Sequence, residues 1–208
     1  MKVLILGPTG RTGQNLVRQA LEQGHEVRVI AREPGRINIK NEKLEIIEGD
    51  VLDNSILEKA VNGTEAVLSA LGTGKSLKSG NLISSAINLL IPAMQNNNVR
   101  RIVFLSAFGV GDSFRQANWL QKIAFCLPLR NIYADKLEGE TQLKQSNLDW
   151  TLVHPVLLTD KPFTGRYKVV ERTNMKGFPS VSRADVADFM LSQITDTRYL
   201  KKSPIIMS

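Results

Sequence analysis

Short apolar runs alternate with amphipathic stretches through most of the chain. Val3–Leu6, Val27–Ile30, Leu44–Glu48, Ala66–Ala70, Ile102–Ser106 and Trp150–His154 read as strands. Between the first two, Leu16, Val17, Ala20 and Leu21 recur at helical spacing from about Gly13 and stop at Gly24. Asn54–Val61, ended by Asn62-Gly63, then Asn81–Asn96 and Tyr133–Ser146 read as further helices, and Ala107–Asn118 as a loop. Nearly continuous apolar strands separated by helices predict a parallel sheet covered on both faces. Right-handed crossovers leave that arrangement little topological freedom. The last third breaks the rhythm. Lys161–Pro179 reads as irregular with a short strand near Tyr167–Val170, followed by a helix over Ala184–Ile194 and a late strand over Pro204–Met207. The prediction is one doubly wound α/β domain over residues 1–208, with a small irregular C-terminal lobe.

The first strand runs directly into Gly7-Pro8-Thr9-Gly10-Arg11-Thr12-Gly13. A glycine-spaced turn between strand and helix can cradle a dinucleotide pyrophosphate, because the helix start offers unpaired N–H groups and the positive end of its dipole. Gly7 permits the tight turn, Gly10 lets backbone approach phosphate, and Gly13 lets helix press on strand. The spacing is G-x-x-G-x-x-G, a departure from the commoner G-x-G-x-x-G. In open α/β sheets, ligands bind beyond the carboxyl ends of the strands, where strand order reverses. That rule selects Gly7–Gly13, Ala31-Arg32, Asp50-Val51, Ala70-Leu71-Gly72, Ser106-Ala107 and the segment after His154-Pro155.

The residues after the second strand choose the cofactor. Arg32 and Arg36 fit the 2′-phosphate of NADP through charge-assisted bonds, whereas an acid there would fit the ribose hydroxyl of NAD. Glu33 follows Arg32 and is read as pointing elsewhere, so NADP is expected over NAD.

Composition excludes several other classes. The net charge is +7, but the basic residues are scattered and no aromatic-interleaved stripe suits nucleic acid. No apolar run approaches the ~20 residues that span a bilayer, so a cytoplasmic protein without membrane contact is expected. The single cysteine, Cys126, sits in an apolar run and reads as a packed thiol. No metal is expected.

Several segments occur in the order of a known family. They are the glycine turn, Ala31-Arg32, Gly49-Asp50-Val51, Leu71-Gly72-Thr73, Leu105-Ser106-Ala107, Leu148-Asp149-Trp150-Thr151, Pro162-Phe163-Thr164-Gly165 and Ser182-Arg183-Ala184-Asp185-Val186-Ala187. Together they resemble the atypical short-chain dehydrogenase/reductases, a Rossmann-fold family. Within it they are most similar to the NAD(P)H-flavin reductase and biliverdin reductase B group, near the NmrA-like proteins. The resemblance implies that Gly7, Thr9, Gly10, Arg11, Thr12 and Gly13 bind pyrophosphate. It implies that Arg32 and Arg36 bind the 2′-phosphate, and that Asp50 and Val51 flank the adenine. Ala70, Leu71, Gly72, Ser106 and Pro155 would complete the cofactor site, with Ser106 beside the nicotinamide.

Two departures shape the chemistry. Many family members place a Tyr four residues before a Lys, so that the lysine helps the tyrosine pass a proton. Lys136 fits the lysine position, but Ile132 holds the tyrosine position and Tyr133 is turned by about 100° around the helix. A Tyr133–Lys136 pair can still share a face, while Lys136 with Glu140 reads as a surface i,i+4 pair. The second departure is Leu157, where biliverdin reductase B carries a histidine. His154, at the strand end, is open to a structural or a pocket role, and His25 reads as exposed. Without an in-register tyrosine, a flavin- or quinone-like ring is a better hydride acceptor than a ketone, because solvent can supply the remaining proton. Phe108, Phe114 and Trp119 read either as an apolar wall for such a ring or as core. The expectation is a reductase with Ser106, Tyr133 and Lys136 as candidate catalytic residues and a small planar acceptor as partner. The rival expectation is a non-catalytic NADP-sensing regulator; oligomeric state is left open.

Overall fold

The computed structural model describes residues 1–74, 80–116, 129–173 and 177–208. Trp119 and Cys126 lie outside the described residues. In chain order the elements are β1 (Lys2–Leu6), α1 (Arg11–Glu22), β2 (Glu26–Ala31), β3 (Leu44–Glu48), α2 (Asn54–Val61), β4 (Ala66–Ser69) and α3 (Leu82–Asn96). They continue as β5 (Arg101–Leu105), α4 (Arg130–Gln145), β6 (Asp149–Pro155), β7 (Leu157–Thr159), β8 (Lys168–Val170), β9 (Ser180–Ser182), α5 (Arg183–Ser192) and β10 (Ile205–Met207).

The main sheet has the order β3-β2-β1-β4-β5-β6-β10-β8. Its pairings are parallel apart from β10 with β8, which is antiparallel. The chain winds outward from β1 to β3, then returns to β4 on the other side of β1. The order therefore reverses between β1 and β4, and the crevice opens at their carboxyl ends.

The apolar strands look continuous because they feed two cores at once. Side chains alternate across a strand. Val3 and Ile5 join the core under α1 and α5, while Leu4 and Leu6 join the core under α2 and α3. In β5 the same alternation sends Val103 and Leu105 one way and Ile102 and Phe104 the other.

Basic side chains at the amino ends of strands cap helices that finish on the same edge. Arg28 donates to the carbonyls of Lys59, Ala60 and Asn62 at the end of α2, at 3.2, 3.0 and 2.5 Å. Arg101 reaches the Gln193 carbonyl after α5 through Nε at 2.8 Å. Burial pushes the Arg101 guanidinium down to about 10, so it stays charged at neutral pH and opposes the negative end of the helix dipole. The start of α3 is held from another helix. Asn81 at its N-cap is left-handed and makes no side-chain cap bond. Instead the buried Asp135 of α4 accepts the Ile83 and Ser84 N–H groups at 3.1 and 2.8 Å.

Two short strands escape the sequence reading. β7 and β9 form a separate parallel pair in the lobe expected to be irregular. Three residues are too few to show a period of two.

Asp135→Ala is expected to lower the unfolding free energy by about 2 kcal/mol, since two buried helix-start N–H groups lose their acceptor. A urea titration followed by circular dichroism checks this, and a change below about 0.5 kcal/mol would show that solvent can serve the helix start equally well.

Candidate functional site

The glycine turn sits at the mouth of the crevice, and its three glycines are not equivalent. Gly7 is left-handed at φ +77°, and a Cβ there would lie 2.6 Å from the Ala70 carbonyl oxygen. A Cβ on Gly13 would lie 2.0 Å from the Gly7 oxygen. The chain's own packing therefore requires both. Gly10 is different: its backbone is extended, at φ −73° and ψ 156°, and the nearest atom to an added Cβ is 3.4 Å away. Nothing in the fold forbids a side chain at Gly10. Among the described residues no side chain caps α1, and its first turn holds no acid. Its opening N–H groups therefore face the crevice as an anion seat, and the missing Cβ at Gly10 clears the approach.

The other predicted positions fall around this turn. Arg32 and Arg36 are exposed beyond β2, with Arg36 3.8 Å from Glu33. Among the described residues Arg32 makes no ion pair. Asp50 follows β3 and accepts the Leu52 N–H at 3.0 Å, while Val51 packs against the α2–α3 core. Leu71 and Pro155 are buried, Ala70 and Thr9 half-buried, and Gly72 exposed. Thr12 is buried in the first turn of α1. Arg11, beside Gly10, pairs with Asp160 at 2.5 Å, and Arg183 at the start of α5 pairs with the same carboxylate at 2.7 Å. This bridge, invisible in the sequence, ties the turn to the segment after β7.

A buried polar cluster stands behind the end of β5. Alternation sends Ser106 and His154 toward α4, where both meet Glu140. Ser106 Oγ donates to Glu140 Oε1, and His154 Nε2 lies 2.9 Å from the same oxygen, off the line of a hydrogen bond. His154 Nδ1 is 2.9 Å from Ser113 Oγ. Ser106 is 3% exposed and Glu140 and His154 are 0% exposed. Burial pushes the Glu140 carboxyl up. The nearby His154 ring, with the Ser106 hydrogen bond and Lys144, outweighs that and holds it below its ordinary value.

Lys136 and Glu140 were expected to form a surface pair; both are buried instead. Lys136 Nζ donates to the Leu105 carbonyl at 2.7 Å and lies 5.5 Å from the centre of the Phe104 ring. Desolvation pulls its ammonium down to about 8, against the opposing charges of Glu140 and Asp135. Tyr133 donates to the Phe108 carbonyl at 3.1 Å. Phe108 is buried, Phe114 is 42% exposed, and His25, expected at the surface, is half-buried. A cleft of about 260 Å³ lies beside Tyr133, lined by Val110, Phe114, Arg130 and Leu137. A recess of about 390 Å³ among Lys2, Glu26, Lys43 and Glu45 opens at the amino ends of the strands, away from the crevice.

Glu140 was missed although a signal existed. The buried positions of α4 are Asp135, Lys136, Gly139, Glu140 and Leu143, a helical stripe occupied mainly by charged residues. The four-residue spacing of Lys136 and Glu140 made them read as an exposed i,i+4 pair instead.

Comparison with known proteins agrees with this fold. The family described as NAD(P)H-binding matches residues 7–197. Pinoresinol reductase 1 of Arabidopsis thaliana is 26% identical over 97% of this chain and 67% of its own length, so the chain spans about two thirds of that relative. ChuY, an anaerobillin reductase from Escherichia coli O157:H7, superposes with a TM-score of 0.83 at 21% identity, covering 100% of this chain and 97% of that one. A short-chain dehydrogenase/reductase from Veillonella parvula DSM 2008, solved in complex with NADP, gives 0.82 at 22% identity over 100% of this chain and 94% of its own. The two structures share this fold. Among the described residues no helix is long and apolar enough to cross a membrane.

The buried ammonium gives a testable pH signature. Its proton affinity is lower in the folded chain than the ordinary 10.5, so between about pH 8 and 10.5 the unfolded chain binds more protons and stability rises with pH. The full rise corresponds to about 3 kcal/mol. Lys136→Met is expected to lack it, read as the difference between the two proteins in urea titrations across that window. Parallel curves would show that the amine is solvated.

Proposed function

Because the chain belongs to the NAD(P)H-binding family, among the atypical short-chain dehydrogenase/reductases, we propose that it is an NADPH-dependent reductase acting on a planar acceptor such as a flavin or quinone. The observation that carries the reading is Gly10, the one glycine of the turn that the fold does not need. Its bare Cα is accounted for by a ligand that must come closer than a Cβ permits.

In this reading Gly7, Thr9, Gly10, Arg11, Thr12 and Gly13 hold the pyrophosphate through main-chain amides. Arg32 and Arg36, exposed beyond β2, take the 2′-phosphate. Asp50 and Val51 border the adenine. Ala70, Leu71, Gly72, Ser106 and Pro155 line the opposite half of the crevice. The cofactor, when bound, supplies a hydride. The chain's part is to orient the two rings and exclude water from between them. Tyr133 and Lys136 direct their polar atoms at main-chain carbonyls, at Phe108 and Leu105. That arrangement favours an acceptor whose last proton comes from solvent. The word reductase in the names of pinoresinol reductase 1 and ChuY supports the same class of reaction.

Calorimetry with NADPH and NADH tests the binding half. NADPH is expected to bind at least about tenfold more tightly, and Arg32→Ala to erase most of that preference, as loss of a charge-assisted bond implies. Gly10→Glu is expected to abolish uptake of both while leaving the circular dichroism spectrum and thermal midpoint unchanged. Steady-state oxidation of NADPH with FMN, riboflavin and quinones tests the chemistry. Tight binding without turnover of any of them would overturn the reductase reading in favour of a cofactor-sensing regulator.

A further inference from the structure

Ser106 is fixed in polarity by the groups behind it. A hydroxyl has one proton to give and two lone pairs to offer. Here the proton is directed at Glu140 Oε1. Gly111 packs so closely that a Cβ on it would lie 2.6 Å from Glu140 Oε2. Oε2 has no hydrogen-bond donor among the described residues, and Lys144 Nζ is 3.9 Å away. His154 touches Oε1 off-line. Among the described residues the bond from Ser106 is the one well-directed hydrogen bond that this fully buried carboxylate receives. Turning the hydroxyl away would leave a buried charge without it, a much larger cost than one ordinary hydrogen bond.

The fold says what Ser106 faces. The anion seat lies at the end of β1, and the exposed arginines lie beyond β2 on one side of it. A dinucleotide gripped at its middle then extends its other half past β4 toward β5, where Ser106 closes the strand.

We propose that Glu140 is a positioning residue that makes Ser106 a hydrogen-bond acceptor only, selecting the N–H donor of the nicotinamide carboxamide. The inference rests on the dinucleotide reading and deepens it. Ser106 is then a reader of ring orientation and not a proton donor to the acceptor.

The test compares NADP⁺ with two analogues by calorimetry. The 3-acetylpyridine analogue keeps a carbonyl but lacks the N–H donor, and the thionicotinamide analogue keeps the donor. In the parent protein the acetyl analogue is expected to bind about three- to tenfold more weakly than NADP⁺, the value of one hydrogen bond, and the thio analogue as well as NADP⁺. Ser106→Ala is expected to bring the acetyl-to-carboxamide ratio to about one. Glu140→Leu removes the acceptor, frees the hydroxyl to donate as well as accept, and is expected to bring the ratio toward one. Equal affinities in the parent would overturn the inference even if Glu140→Leu fails to fold. A ratio kept in Glu140→Leu but lost in Ser106→Ala would overturn the part assigned to Glu140. No uptake of NADP⁺ or NADPH by the parent would instead overturn the dinucleotide reading itself.

Discussion

The two-residue period of a strand is the constraint on which this site depends. A parallel sheet buried on both faces has no neutral side, so successive residues of β5 and β6 turn to opposite layers. Leu105 goes to the core under α1 and α5. Ser106 must then turn toward α4, and so must His154, which follows Val153 of the first core. A one-residue slip of either strand would carry these side chains into the opposite layer, away from Glu140. The meeting of Ser106, His154 and Glu140 is thus a product of register.

The same sheet separates two kinds of charge work. At the amino edge, Arg28 and Arg101 satisfy the carbonyl ends of α2 and α5. At the carboxyl edge, α1 begins with neither a side-chain cap nor an acid. Cations close one edge while the first N–H groups of α1 stay open at the other. That asymmetry separates the stabilising edge of the fold from the edge that receives a ligand.

Much of this was legible in the sequence. The glycine turn, the order of elements and the crevice followed from hydrophobic periodicity and a general rule of open sheets. The separate roles of the three glycines were also read from the motif, and the structure adds that Gly10 is free of the chain's own packing demands. Glu140, by contrast, was misread. Lys136, Glu140 and Lys144 follow the four-residue spacing of a solvated ladder, and the residues that bury them are distant in sequence. β7 and β9 were too short to announce themselves. Asp160 lies 149 positions from Arg11, beyond any local pattern.

The loop that begins at Asp160 is fastened unequally at its two ends. At Asp160 it is held by ion pairs to Arg11 and Arg183, with the aspartate side chain 56% exposed. Such contacts are worth at most about 1 kcal/mol each and weaken with salt. At Thr164 and Gly165 it is held by two main-chain N–H groups and a hydroxyl, all donating to the buried Asp185 at 2.8 to 3.0 Å. Salt therefore weakens the tie between Asp160 and the glycine turn, while the pairing of β7 with β9 and the bonds to Asp185 hold the segment itself in place.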